Sequence, residues 1–171
     1  MHILLATSVV ISTSLGDVQV QLDEKKAPVS TANFLQYVKD KHYDGTVFHR
    51  VIKGFMIQGG GLDEHLATRA GTRAPIKNES GNGLKNATFA IAMARTNDPD
   101  SATDQFFIDT RDNAFLDRPP GYAVFGKVTK GLEVVRKIES QKTQTKPSAE
   151  GLPMADVPVE AVVIKSIRVA K

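Results

Sequence analysis

The sequence predicts a mainly β protein, an antiparallel barrel or sandwich carrying two helices. Two observations lead there: about eight short strand-like runs, each bounded by Gly, Pro, Asn or Asp, and only two segments with helical periodicity. Many short strands with few helices favour a barrel or a sandwich, because curling or stacking the sheet limits its exposed edges. No repeat, linker or low-complexity tract interrupts the 171 residues. A chain of that length buries roughly two thirds of the surface its unfolded form exposes. One core therefore suffices, and a single domain spanning residues 1–171 is expected.

The elements follow in order. The apolar opening Met1 to Val10 lacks a basic leader region and a small-residue cleavage pattern, so it reads as a first strand beginning at Ile3 or Val9. Val18, Val20 and Leu22 alternate with Gln19 and Gln21, and Leu15-Gly16-Asp17 separates this run from Val9–Ser14, which makes a hairpin. After Ala27-Pro28 a helix is predicted over Val29–Lys41, with Phe34, Leu35 and Val38 on one face and Gly45 beyond its end. Strands are predicted at Thr46–Val51, Phe55–Gln58, Thr88–Ala94, Phe106–Thr110 and Ala123–Val128. The second helix is predicted over Leu132–Glu139, with Leu132, Val135 and Ile138 inward. Ser140–Val157 reads as a polar loop, and a β-branched strand, Ala161–Val169, closes the chain. Between Gly59 and Asn86 periodicity is lost, and a loop that long inside a compact protein is usually functional.

Composition narrows the chemistry. With 41% hydrophobic and 24% charged residues the chain is neither disordered nor membrane-spanning in character. A net charge of +3 is spread along the chain rather than gathered in a block, so no nucleic-acid partner and no membrane partner is expected. Lys130, Arg136, Lys137, Lys142 and Lys146 read as the solvated face of the second helix and its loop. The absence of cysteine removes disulfides, thiolate nucleophiles and Cys-based zinc sites. Asp98, Asp100, Asp104 and Asp109 imitate a calcium loop, but Pro99 lies inside it, Thr103 replaces the turn glycine and the last position is Asp rather than Glu. Glu64-His65 has no second His at metalloprotease spacing. Gly59-Gly60-Gly61 opens no phosphate-binding pattern, and no G-x-S-x-G nucleophile turn occurs. No metal and no cofactor is expected.

Three segments remain as carriers of chemistry: Phe48–Gly61, Met93–Phe107 and Ala114–Val128. In extended structure Arg50 and Ile52 point to one side of the sheet and Val51 to the other. Phe55, Met56 and Gln58 follow a Gly54 turn, so a cation, apolar groups and an amide could line one concave surface. On an arbitrary sheet the same Phe55 and Met56 would be plain core and Arg50 a surface charge.

The phrases FHRVIKGFMIQGGG, PIKNES, IAMARTNDPDSATDQFFID and FLDRPPGYAVFGKV resemble, in the same order, the cyclophilin family of peptidyl-prolyl cis/trans isomerases, and specifically its bacterial members. The resemblance runs from about Val18 to Val169. It implies a closed eight-stranded antiparallel β-barrel capped by two α-helices, with the active groove on the outer face. Arg50 matches the family's catalytic arginine. Phe55, Met56, Phe107 and Leu116 match the walls of its proline pocket, Gln58 and Gln105 its polar groove residues, and Ala94, Arg95 and Thr96 the segment that pairs with substrate backbone. His49, beside the arginine, is read as structural.

Phe115 and Tyr122 stand where the best-known eukaryotic members have tryptophan and histidine, one residue being inserted at Arg118–Gly121. Phe has no N–H to donate, so cyclosporin binding is expected to be weak. Phe115 keeps an aromatic wall and Tyr122 a polar tip on an aromatic body, so both remain in the expected substrate-binding set. The partners implied are proline-containing peptides and unfolded protein chains, and a monomer is expected. The missing leader pattern points to the cytoplasm, whereas GYAVFGKV resembles periplasmic members. The residue types suit the reaction: rotating an X-Pro bond breaks no covalent bond, so it calls for neither a nucleophile nor a metal. Because no group has to ionise, the rate is expected to be flat across neutral pH.

Overall fold

The computed structural model describes residues 5–171, so a strand start at Ile3 lies outside the described residues. The chain begins with the hairpin β1 (Ser8–Thr13) and β2 (Gly16–Leu22), followed by helix α1 (Pro28–Lys39). Five strands come next: β3 (Arg50–Ile52), β4 (Met56–Gly59), β5 (Ala90–Met93), β6 (Phe106–Asp109) and β7 (Val124–Lys130). Helix α2 (Leu132–Glu139), β8 (Thr143–Pro147), β9 (Pro153–Pro158) and β10 (Ile164–Val169) complete it, and a 3₁₀ turn at Ala114–Asp117 precedes β7. No helix among the described residues is long and apolar enough to cross a membrane.

Eight strands form one antiparallel sheet in the order β10-β1-β2-β7-β5-β6-β4-β3. Its two ends do not join in a ladder. They are spanned by a single bridge, Val47 to Val163, with the Phe48 N–H donating to Val162 O at 3.0 Å and Ile164 N–H to Thr46 O at 2.7 Å. The expected closed barrel is therefore corrected to an open, curled sheet. The reason lies in the predicted strand Thr46–Val51, of which only Arg50 onward is strand. Before it, Thr46 and Val47 make only isolated bridges, to Asp63 and Val163, and Phe48 and His49 continue neither of them into a ladder.

Strand alternation separates two apolar layers. Val9, Ile11, Val20, Ile57, Ile91, Met93, Phe106, Ile108 and Phe125 face the main core with Phe34 and Tyr37 of α1 and Val135 and Ile138 of α2. Phe34 packs edge-on to Phe106 with ring centroids 5.6 Å apart. On the opposite face of the same strands, Met56, Ala90, Ala92, Phe107 and Val124 join Leu116 in a second cluster. Sheets of this kind commonly leave that face to water; an apolar cluster there marks a surface built for something else.

The helices nearly match their predicted bounds. In α1 the first turn carries Pro28, and its orphan N–H groups are capped from a distant loop: Glu79 accepts from Val29 at 3.1 Å and from Ser30 at 2.6 Å. It ends at Lys39 rather than Lys41, because Lys41 turns left-handed at φ 56°. In α2 the inward residues are Val134, Val135 and Ile138, while Leu132 is exposed, which corrects the predicted face. The predicted loop Ser140–Val157 contains the β8–β9 hairpin. Its strands TQTKP and PMADVP are largely exposed and show no apolar alternation.

Candidate active site

The register of four strand pairs sets one row of residues across the outer face. Arg50 lies opposite Gln58, Gln58 opposite Phe107, Phe107 opposite Ala92, and Ala92 opposite Val124. A one-residue slip in any pair would send that strand's member to the core side. Arg50, Gln58 and Phe107 of this row line a groove of about 440 Å³ together with Phe55, Met56, Ala94, Arg95, Phe115, Leu116 and Tyr122. Ala92 and Val124 are buried behind it, in the apolar cluster that also holds Met56, Phe107 and Leu116.

The groove is apolar on one side and polar on the other. Met56, Phe107 and Leu116 are buried, and Phe55 stacks on the half-exposed Phe115 with centroids 5.7 Å apart and planes 28° from parallel. Tyr122 meets Phe107 edge-on at 5.9 Å. Facing this cup, the exposed Arg50 donates through Nη1 to Gln58 Oε1 at 3.3 Å, and Gln58 Nε2 donates to Gln105 Oε1 at 2.9 Å. The amide relay fixes the direction of the guanidinium and leaves most of its five donors free. Gly61 makes room for the relay, since a Cβ there would lie 2.5 Å from Gln105 Cγ.

Arg95 does more than the sequence suggested. Its guanidinium lies 4.2 Å above the Tyr122 ring and donates through Nε and Nη2 to Gly121 O at 3.0 and 2.8 Å, and through Nη1 to Thr96 O at 2.8 Å. It clamps the Tyr122 loop onto the groove. Thr96 stands outside the lining: its N–H donates to Ser101 Oγ at 2.9 Å, and the Ala94 N–H to Gln105 O at 3.0 Å, so both donors are already engaged within the protein. Gln105 reaches the groove only through Gln58. All the other sequence-predicted residues are brought together there.

Two buried titratable groups flank the site. His49 is 5% exposed, and burial, reinforced by the neighbouring Arg50 charge, pushes it down to about 4. It is neutral at physiological pH, in keeping with a structural role. Asp109, fully buried, lies opposite Met56 on β6. Burial pushes it up to about 7 against a hydrogen bond from Asn113, with the Asp117 and Asp112 charges adding to the rise. Sequence reasoning missed Ala92 and Val124, which pack behind the groove, and the polar props Asn86, Asn113 and Asp117: Asn86 Nδ2 donates to Asp117 Oδ1 at 2.9 Å and to Tyr122 O at 3.3 Å, and Asn113 Nδ2 to Phe55 O at 2.9 Å. Ala92 was signalled by the alternation of small and large residues in Ala90-Ile91-Ala92-Met93. The Asn residues carried only the general turn preference of their type.

Residues 8–169 match the model of the family described as cyclophilin type peptidyl-prolyl cis-trans isomerase/CLD. A peptidyl-prolyl cis-trans isomerase of Acinetobacter baylyi is 50% identical over 99% of this chain and 92% of its own. Peptidyl-prolyl cis-trans isomerase B of Escherichia coli is 44% identical over 91% of this chain and 98% of its own. Among solved structures, a cyclophilin type isomerase of Cryptosporidium parvum superposes with a TM-score of 0.80 at 26% identity, covering 98% of this chain and 99% of that one. The same Cryptosporidium protein was also solved in the presence of the dipeptide Ala-Pro, and superposes with a TM-score of 0.79. With a family match over nearly the whole chain and bacterial relatives near half identity, the protein belongs to the cyclophilin-type peptidyl-prolyl cis-trans isomerases.

Proposed function

We propose that this chain isomerises X-Pro bonds in the groove on its outer face, with Arg50 as the catalytic residue and Phe55, Met56, Phe107 and Leu116 as the cup for the proline ring. The observation that carries the reading is the row in which Arg50, Gln58 and Phe107 are successive cross-strand neighbours, so that a tethered cation faces an apolar hollow.

The barrier to be lowered is about 18–20 kcal/mol. Uncatalysed exchange takes tens to hundreds of seconds. Reaching about ten turnovers per second requires about a thousandfold, or about 4 kcal/mol. As the bond twists, amide resonance is lost and the prolyl nitrogen gains a localised lone pair. Arg50 donates to that nitrogen only in the twisted state, which is differential binding of the transition state. A hydrogen bond from a charged donor contributes about 1.5–3 kcal/mol, and holding the ring while the preceding residue rotates supplies the remainder. A guanidinium suits this better than an ammonium because its donors are fixed in a plane and less strongly hydrated.

Gln58 and the Arg95 backbone anchor the substrate chain on either side of the ring. The Arg95 N–H meets no protein acceptor among the described residues, whereas those of Ala94 and Thr96 do. Phe115 and Tyr122 form the outer rim, where the residue before proline rests. The substrates are proline-containing peptides and unfolded chains, acted on by the chain as one monomeric domain. Cyclosporin binds weakly for want of an indole donor at Phe115.

The test is a proline-peptide isomerisation assay on an Ala-Pro substrate. Wild type accelerates exchange, and Arg50→Ala loses ten- to about a hundredfold of kcat/KM with an unchanged far-UV spectrum. Full activity in the variant would remove Arg50 from the mechanism.

A further inference from the structure

We infer that Asn113 is a positioning residue for this reaction: its side-chain amide joins the two separate pieces of the proline cup and so sets the cup's width, with Asp109 holding the amide in place. The inference rests on the proposed groove being the isomerase site.

The cup is assembled from parts with no common ladder. Met56 and Phe107 are fixed by the β4–β6 pairing, and Phe55 follows at the end of that ladder, where its carbonyl accepts from the Thr110 N–H at 3.0 Å. Phe115 and Leu116, in contrast, sit on the 3₁₀ turn Ala114–Asp117, which belongs to no strand. Besides the stacking of Phe55 on Phe115, the two pieces are joined by a side-chain hydrogen bond from Asn113. One N–H of its Nδ2 points to Phe55 O at 2.9 Å and the other to Asp109 Oδ1 at 2.8 Å. An amide nitrogen has two hydrogens, and both are used.

The backbone of Asn113 extends the tie. Its carbonyl accepts from the Leu116 N–H at 2.9 Å, and Leu116 O in turn accepts from the Tyr122 N–H at 3.0 Å. From Phe55 through Leu116 to Tyr122, this residue thus links the walls of the cup outside the sheet, while Arg95 holds the Tyr122 loop from the other side. Asn113 is 2% exposed and Asp109 is fully buried, so water does not substitute for either bond. Among the described residues Asp109 Oδ2 has no partner, and the carboxyl's one hydrogen bond is the one from Asn113. A buried carboxyl retained for a single contact on the wall of the site indicates that the direction of the Asn113 amide matters.

The alternative is that Asn113 merely stabilises the fold. The two are separated by measuring peptide affinity and turnover alongside stability in Asn113→Ala, Asn113→Asp and the exchange variant Asp109→Asn/Asn113→Asp. The exchange variant rebuilds a hydrogen bond between the two positions, donated now from residue 109. It leaves Phe55 O without its side-chain donor.

Positioning predicts that Asn113→Ala raises the dissociation constant and KM for an Ala-Pro peptide about tenfold, with kcat reduced much less because Arg50 is untouched. The exchange variant should recover thermal stability relative to Asn113→Asp yet keep the raised KM. Folded variants with wild-type KM, or recovery of KM together with stability in the exchange variant, would overturn the inference. Absence of isomerisation in the wild-type control would instead count against the proposed function.

Discussion

Replacing Asp109 by Asn should reverse the pH dependence of stability between pH 5 and pH 8. In the folded protein the Asp109 carboxyl is raised by burial from 3.8 to about 7. Its folded form therefore keeps a proton that the unfolded chain has released, and its contribution to stability falls as pH rises toward 7. Over the two units from pH 5 to 7, at 1.36 kcal/mol per unit, the loss is about 3 kcal/mol. His49 works in the opposite direction. It is lowered from 6.5 to about 4, so the unfolded chain binds the extra proton and stability rises as pH climbs from 5 to 6.5. That gain is about 2 kcal/mol. The two groups nearly cancel in the wild type, leaving a net fall of about 1 kcal/mol, whereas Asp109→Asn retains only the gain of about 2 kcal/mol. Urea unfolding at pH 5 and pH 8 reads the difference. With a slope of about 2 kcal/mol/M, the change in midpoint across this interval should differ between the proteins by about 1.5 M. All other titrating groups are common to both and drop out. Parallel midpoint changes in the two proteins would refute the buried, proton-retaining state of Asp109.

Phe115→Trp should tighten cyclosporin binding about tenfold, the worth of one added hydrogen bond, measured by titration of the new indole fluorescence. It should leave Ala-Pro isomerisation within about threefold, because the aromatic wall stacked on Phe55 is kept. Gly59→Ala should destabilise the protein by about 2 kcal/mol or more in chemical denaturation. A Cβ there would stand 2.7 Å from the Val47 carbonyl and 3.1 Å from Phe48 Cα, both backbone atoms that cannot step aside.

The site was more legible in the sequence than the way the sheet closes. Alternation in RVI and MIQG assigns Arg50 and Gln58 to one face whatever the partner strands are. The resemblance then supplied the residues from β6 and the 3₁₀ turn that complete the cup. Closure of the sheet depends instead on Thr46–Phe48, whose residues have strand composition but form only isolated bridges, to Asp63 and Val163. How far such bridges extend is set by the distant segments they meet, around Leu62 and Val162–Ile164, and leaves no local trace. The β8–β9 hairpin was missed because its strands bury only Val157 and Pro158 at one end, so the alternation on which strand prediction rests is missing. The engagement of the Thr96 N–H by Ser101 and the clamp of Arg95 on Gly121 depend on loop geometry, which residue type alone does not specify.

Arg50 is proposed to act on the twisted bond and not on the planar one, and NMR exchange spectroscopy on an Ala-Pro peptide bound to Arg50→Ala separates these directly. Peptide affinity should stay within about threefold of wild type, while the cis/trans exchange rate in the bound state falls ten- to about a hundredfold, the worth of one charge-assisted hydrogen bond. Unchanged bound-state exchange with a large loss of affinity would make Arg50 a binding residue and leave the rate enhancement without its source.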